Sequence, residues 1–510
     1  MSKHMAWLMV AMGGAVTMAV LCWATATYGI GASTDTVTYL SVAQNALKGN
    51  GFVSYDGGVM VEFPPVYPLL LCGALYLLPV PALSAVKLVS VLSAGGCHGA
   101  ATYLLQRHLH YPATRWAGWL LLLLSVPLWS VYMMGWSEPP FIFFTLLWFI
   151  FLARYLRAPS TQGLLYVAGI SSLCVLTRYT GVVCALTGAL GIGRAALLDR
   201  RARWTHLTVY SLLVLGALGV WLIRNLVVSG TLVGERVPSE RGVLWNLGIC
   251  CRVLDGWFLP GASIPIFLLL ALGTFSLVAQ SPRAFSDSWC LQVLFVFYTA
   301  SYLALLLFSA SKTAYDELDN RLLAPVYVPL LLALLSSGEV IYFRFLSRTR
   351  LQWLVAALLL LFALCPASNT LHLLQEAHEE GMGFTSAQWW KSPSLAFLRQ
   401  HTLNAPLYSN CPEAIYLHTG CKAHLLPRRF YYATHLPVRE DIRDFVEEIK
   451  EERLAYLLWF SSELPDYLYS PQQLASFVKL YLERRFVDAD LFRATPRENP
   501  MAGGNLEHAL

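Results

Sequence analysis

Eleven apolar stretches dominate the first 366 residues of this 510-residue chain, and no other feature constrains its folding as strongly. A helix needs about 20 apolar residues to cross the hydrocarbon core of a bilayer, with a usable range of about 17–25. Stretches of that kind lie near residues 6–30, 83–106, 116–133, 139–156, 162–178, 180–197, 206–227, 262–279, 289–308, 322–342 and 351–367. The same region holds only 22 Lys/Arg and 13 Asp/Glu. So few charges cannot clothe a water-facing surface, so most of this region must lie in lipid. The run at 6–30 is too long for a cleaved signal peptide and no A-x-A site follows it.

Residues 367–510 differ, with 14 Lys/Arg and 18 Asp/Glu, a density close to that of soluble domains. The expected fold is therefore an all-α polytopic membrane domain over 1–366, with about 11 transmembrane helices, followed by a small water-soluble α/β domain over 367–510. In that second part, 407–409, 424–426, 454–460 and 485–492 read as strands, and 412–419, 438–453 and 471–483 as helices, an alternation that suggests three layers. It has no Gly-rich phosphate loop after a strand, and Asn410, Glu413 and His418 suit turns and caps. The tail from Thr495, with Asn499, Pro500, Gly503 and Gly504, is expected to be flexible.

The short loops set the orientation. With a cytoplasmic N-terminus, one side receives Lys3, Arg107, Arg115, Arg154, Arg157, Arg194, Arg200, Arg201, Arg203, Arg283, Arg344, Arg348 and Arg350 against only Asp199, Asp287 and Glu339. Eleven crossings then place the C-terminal domain outside the cell membrane. The apolar segment 67–78 is too short to span and would break this alternation, so it reads as a re-entrant or interfacial helix. The net charge of +5 is small for this length, and nucleic acid is not an expected partner. No Cys/His spacing resembles a zinc site. Cys411 and Cys421 lie in the external part, where a disulfide is permitted and left open.

A chain built only to span lipid has no use for long polar outer loops. The first such loop, 31–68, opens with Ser33-Thr34-Asp35-Thr36, a helix N-cap region. Val37, Leu40, Ala43 and Leu47 follow at the spacing of a helix lying flat on the membrane. A small hairpin around Asp56-Gly57-Gly58 comes next, and Glu62-Phe63-Pro64-Pro65-Val66-Tyr67-Pro68 returns the chain to the membrane. Asp35 reads either as a capping carboxylate or as a functional acid. Glu138, in Trp136-Ser137-Glu138-Pro139-Pro140, heads an apolar helix on the same face. A carboxylate at that depth is costly unless it meets a partner or a cavity, although the helix dipole alone could favour it. Arg178, Arg224, Arg236, Arg241, Arg252, Lys312 and Arg321 share this face, against the usual charge bias. Some would snorkel or pair with Asp316, Glu317 or Asp319, and the rest would suit a lipid-linked phosphate.

Short pieces in this order resemble the GT-C glycosyltransferases, in particular glycosyltransferase family 39, which includes the protein O-mannosyltransferases and the bacterial enzyme that adds aminoarabinose to lipid A. The pieces are Asp35-Thr36-Val37-Thr38-Tyr39 with Gly49-Asn50-Gly51-Phe52, then Phe63 to Pro68, Ser137-Glu138-Pro139, Arg178-Tyr179-Thr180-Gly181, Trp221 to Asn225, and Arg321 to Pro325. The resemblance covers roughly residues 1–345. It implies transfer of a sugar, by a hexosyl- or pentosyltransferase, from a polyprenyl-phosphate donor to a lipid, glycan or protein acceptor on the outer face. It also implies that Asp35 and Glu138 are catalytic and that Tyr39, Glu62 and Tyr67 contribute to the substrate pocket. Relatives often carry an Asp-Glu pair where this chain has Asp35-Thr36, and many have Arg-Tyr in place of Arg321-Leu322. These departures leave the acceptor and any metal requirement open.

Displacing phosphate from an anomeric carbon needs a deprotonated nucleophile and positive charge on the leaving group. Asp35 is the candidate base; Arg178, Arg224 and Arg321, with Lys312, are the candidates for the phosphate. A single displacement would invert the anomeric centre. A Mg²⁺ or Mn²⁺ ion on Asp35 and Glu138 is the one cofactor the residue types allow. A transporter or flippase of lipid-linked glycans, or a glycan ligase or polymerase, is the alternative. Transporters tend to place ionisable groups at mid-membrane depth.

Overall fold

The computed structural model describes residues 3–198, 203–258, 261, 263–280, 287–314, 317–345, 352–431, 434–463 and 465–497. Asp199, Arg200, Arg201, Arg283, Arg348, Arg350, Asp316 and the tail residues Asn499, Pro500, Gly503 and Gly504 lie outside them.

Each expected span is helical over most of its described residues. The chain runs through α1 (Lys3–Ala24), α2 (Thr34–Leu47), α3 (Val66–Leu77), α4 (Ala82–His108), α5 (Pro112–Leu123), α6 (Val126–Tyr132), α7 (Glu138–Arg157) and α8 (Thr161–Thr177). It continues through α9 (Val182–Leu198), α10 (Arg203–Ser229), α11 (Val243–Trp257), α12 (Ser263–Gln280), α13 (Asp287–Lys312), α14 (Asn320–Phe345) and α15 (Gln352–Leu364). Among the described residues, seven helices are long and apolar enough to cross a membrane: those containing His4–Ala24, Ala82–His108, Glu138–Arg157, Tyr179–Leu197, Trp204–Ser229, Leu291–Lys312 and Asn320–Tyr342. The expected span at 116–133 is broken instead into α5 and α6. Pro127, which has no N–H to give, sits in the first turn of α6, and the Ser125 hydroxyl caps that turn by accepting from Leu128 N at 3.3 Å. The first span also stops early, at Ala24 rather than residue 30.

Packing follows from which helices carry small or polar residues. α1 lies against α4 so closely that a Cβ on Gly14 would sit 3.1 Å from the Gly95 carbonyl oxygen, the close approach that small residues permit between membrane helices. α14 is enclosed by α12, α13, α5, α6 and α7, whereas α10 leaves Leu212, Leu215, Val220, Ile223 and Val227 exposed on an apolar outer face. At the arginine-rich end, the buried Glu339 accepts from the backbone N–H groups of His110 and Tyr111, both at 2.9 Å. It thereby satisfies donors near the start of α5 that the membrane could not.

The first loop folds as its patterning suggests. α2 buries Val37, Tyr39, Leu40, Val42 and Ala43, and α3 is the expected short helix. Between them Val53 and Val59 bridge in a minimal hairpin. That hairpin is tied down by Asn45 Nδ2 to Val53 O at 2.7 Å, Tyr55 N to Ser41 Oγ at 3.1 Å and Tyr179 OH to Val61 O at 3.0 Å.

After residue 366 the chain does not leave the helices at once. α16 (Ala367–Glu379) packs on α6 and α1, where Thr370 donates to the Leu124 carbonyl at the α5–α6 break and His378 stacks on Trp23. Backbone 30–32 is then clasped between two other segments. Gly31 bridges Met134, Ala32 bridges Gly383, and Phe384 N donates to Ala32 O at 2.7 Å. This three-ply clasp ends at Ala32, three residues before Asp35.

The remainder is α17 (Ala387–Trp390), α18 (Pro393–Gln400), β1 (Leu407–Ser409), α19 (Pro412–Thr419), β2 (His424–Leu425), α20 (Glu440–Glu452), β3 (Ala455–Phe460), α21 (Pro471–Leu474), β4 (Lys479–Arg485) and β5 (Ala489–Thr495). The sheet order is β2-β1-β3-β5-β4, parallel in its first half and antiparallel in its second. Leu458 and Phe460 of β3 pack with Trp389, Leu395 and Ile415 on one face, and Leu457 with Ile442, Phe445 and Ile449 on the other. The arrangement is thus three-layered. The helix expected over 471–483 is a single turn, because its second half pairs with β5 as an edge strand. The strand expected at 485–492 lies at 489–495. Cys411 and Cys421 are unbonded thiols in one apolar cluster. Asn410 extends the β1–β3 pairing by donating to Phe460 O and accepting from Phe460 N, and His418 meets Phe384 O at 2.7 Å, so both serve structure.

Candidate functional site

Four charged side chains meet where α2, α7, α8 and α14 end. Asp35 lies in the first turn of α2, whose Ser33 cap is held in place twice: Ser33 N donates to Thr36 Oγ1 at 3.1 Å, and the Trp136 indole donates to Ser33 Oγ at 2.8 Å. Glu138 begins α7, where Pro139 and Pro140 fix the helical entry without needing N–H partners. Arg178 stands in extended conformation just past α8, and Arg321 is in the first turn of α14.

Their contacts form a chain. Arg178 Nη1 lies 2.5 Å from Glu138 Oε1, Arg321 Nε lies 2.7 Å from the same oxygen, and Arg321 Nη2 donates to Asp35 Oδ2. Arg321 also stacks over Trp136, its guanidinium carbon 4.3 Å from the ring centroid. Glu138 is fully buried, whereas Asp35 keeps 25% of its side chain exposed and Arg321 keeps 20%. The second oxygen of Glu138, Oε2, is buried with no hydrogen-bond partner. Two acids and two bases cancel, so the cluster is neutral while it is closed on itself. A buried carboxylate is tolerable only on such terms. Glu138 therefore orders the two arginines, and Asp35 is the more exposed carboxylate of the two.

Ser137 adds a neutral link, accepting from Arg178 Nη1 at 3.0 Å with Tyr39 OH 3.5 Å away. Burial, with Asp35 nearby, pushes the Tyr39 phenol well above its usual range, so it stays protonated as a donor. Tyr67 is buried edge-on to Tyr39 at 4.9 Å. The sequence names Trp136 and Ser137 only as neighbours of Glu138 and assigns neither a role. Nor does it single out Tyr302, whose hydroxyl reaches Thr180 Oγ1 and Leu322 O at 3.4 Å; one aromatic among many in an apolar helix gives no signal.

The other candidates stand apart from these four. Arg224 spends Nη1 on the Met60 carbonyl at 2.6 Å and lies over Trp221, within a cluster of Tyr179, Asn225 and Val61 that anchors the hairpin. Lys312 is exposed, and its ammonium makes no ion pair among the described residues. Glu62 is exposed and lies against Gly234. For a divalent ion the fit is poor. Arg321 already sits between the carboxylates of Asp35 and Glu138, and no group of three or more His, Cys, Asp or Glu side chains among the described residues is placed to hold a metal.

No protein-family model matches the chain, and no curated protein matches its sequence. Solved structures do match in fold. ArnT from Cupriavidus metallidurans in the apo state superposes with a TM-score of 0.61 at 13% identity, over 96% of this chain and 98% of that one. ArnT from the same organism bound to undecaprenyl phosphate gives 0.61 and 13%, over 95% and 97%. The arabinofuranosyltransferase AftD from Mycobacteria gives 0.57 and 14%, covering 98% of this chain but 42% of that one. At such identities the likeness is one of fold, and with ArnT it covers nearly the whole of both chains.

Proposed function

We propose that this chain, whose fold is that of the GT-C glycosyltransferases, is a membrane glycosyltransferase that takes its sugar from a polyprenyl-phosphate donor at the extracytoplasmic face. The single observation that carries the reading is the Asp35–Arg321–Glu138–Arg178 chain, with one buried acid ordering two arginines and one accessible acid beside them. A fold neighbour solved with undecaprenyl phosphate supports the class of donor. The excess of arginine at the opposite helix ends supports the sidedness.

In this reading the donor phosphate engages Arg178 and Arg321, which offer further N–H groups in a fixed fork. Arg321 then shifts from Asp35 toward the phosphate, and Asp35 becomes available as a base. Asp35 takes the proton of the acceptor hydroxyl. The acceptor oxygen bonds to the anomeric carbon as the carbon–phosphate oxygen bond breaks, and the bonding pair leaves on polyprenyl phosphate. The two guanidinium groups offset the developing negative charge, and one displacement inverts the centre.

The test is a panel of polyprenyl-phosphate sugars offered to purified protein in liposomes with candidate acceptors. Release of free polyprenyl phosphate supports the transferase. Donor crossing the bilayer intact, with no turnover across the panel, would assign the chain to transport instead.

A further inference from the structure

A cavity of about 540 Å³ runs along α1, α4 and α7 to the arginine-rich end of the helices, within the size range of about 300–1,000 Å³ typical of ligand sites. Glu138 and Arg157 are opposite ends of the 20-residue α7, so the arginine end of the cavity lies about 30 Å from the acid–arginine cluster, while Phe143 and Leu147 line its nearer part. Its walls are apolar, with Leu104, Leu147 and Ile150 prominent, and Gly99 and Ala100 leave room between them. Three exposed arginines, Arg107, Arg154 and Arg157, also line it, and none of its lining residues is acidic. Trp7, 62% exposed, stands beside them at the start of α1, the depth at which tryptophan marks a bilayer interface.

An apolar slot ending in cations at headgroup depth matches one kind of molecule. We propose that this cavity binds an anionic phospholipid of the leaflet facing the arginine-rich end, with an acyl chain against Leu104, Leu147 and Ile150 and the phosphate among the three arginines. Basic pockets between membrane helices on the cytoplasmic side recognise acidic headgroups on the same electrostatic terms. The proposal does not depend on the transferase reading, since no residue of the cavity belongs to the other cluster.

The test is native mass spectrometry of the full chain titrated with phosphatidylglycerol or phosphatidylcholine of matched acyl chains. The wild type is expected to bind phosphatidylglycerol more than tenfold more tightly, and Arg107→Gln/Arg154→Gln/Arg157→Gln to lose that preference. Gly99→Leu fills the slot from a position where the nearest outside atom to an added Cβ is 3.8 Å away; it is expected to weaken binding of both lipids at an unchanged melting temperature. Equal affinity of the wild type for the two lipids would overturn the proposal, as would a preference that survives in the triple variant. Displacement of bound phosphatidylglycerol by equimolar undecaprenyl phosphate would assign the slot to the donor and overturn it too.

Discussion

The Nε of Arg321 lies 2.7 Å from Oε1 of Glu138, an oxygen that also receives Arg178 at 2.5 Å. One fully buried carboxylate thus holds two guanidinium groups that come from elements 143 residues apart in sequence (321 − 178). Removing its charge leaves Arg178 without its carboxylate partner and Arg321 with Asp35 alone.

Glu138→Gln is expected to destabilise the protein by about 3–5 kcal/mol, the range for breaking a buried ion pair by removing one partner. Asp35→Asn, at a side chain one quarter exposed, is expected to cost far less. Thermal unfolding of both variants in the same detergent checks the ranking. Equal melting temperatures would remove Glu138 as the organising acid.

Arg321→Lys keeps the charge but loses the fork that reaches Asp35 and Glu138 together and the planar contact with Trp136. Transferase kcat/KM is expected to fall at least tenfold while Arg224→Lys, whose arginine serves the hairpin, shifts stability more than turnover. The comparison requires only a donor-release assay and a melting curve for each variant.

Much of this site was legible in the sequence. Asp35 and Glu138 follow apolar spans on one face, and counting crossings was enough to place them together. What sequence could not show is the bridge: Arg321 competes with Arg224 and Lys312 on residue type alone, and only packing decides which guanidinium enters the pocket. Arg224 was drawn off by a backbone carbonyl at Met60. In the C-terminal part, Leu474, Phe477, Val478 and Tyr481 carry a helical spacing that the fold overrides. Edge strand β4 is largely exposed, so its alternation is weak, and pairing with β5 decides its conformation.

Gly383 is in the left-handed region at φ 56°, and a Cβ there would meet the Ala32 carbonyl oxygen at 2.1 Å. Gly383→Ala should therefore open the clasp that positions the start of α2. The expected result is a loss of about 1–3 kcal/mol in stability with a matching fall in donor turnover. Val487→Ala, at a side chain 94% exposed beyond β4, serves as the control with neither effect.

Chelation separates the guanidinium account from a metal-dependent one. Turnover in the presence of excess EDTA is expected to match turnover in added Mg²⁺ or Mn²⁺, because Arg321 stands between the two carboxylates. Activity abolished by EDTA and restored by either ion would require both acids to release their arginine.

Single-turnover release of polyprenyl phosphate from a donor shown to be used by the wild type, compared with Asp35→Asn, tests the central claim most directly. The expected outcome is a donor Kd no weaker than that of the wild type, since Arg321 is freed for the phosphate, with release slowed by about 10²–10⁴-fold, the range for loss of a positioned general base. Release at the wild-type rate from Asp35→Asn would contradict the assignment of Asp35 and, with it, the mechanism built on this cluster.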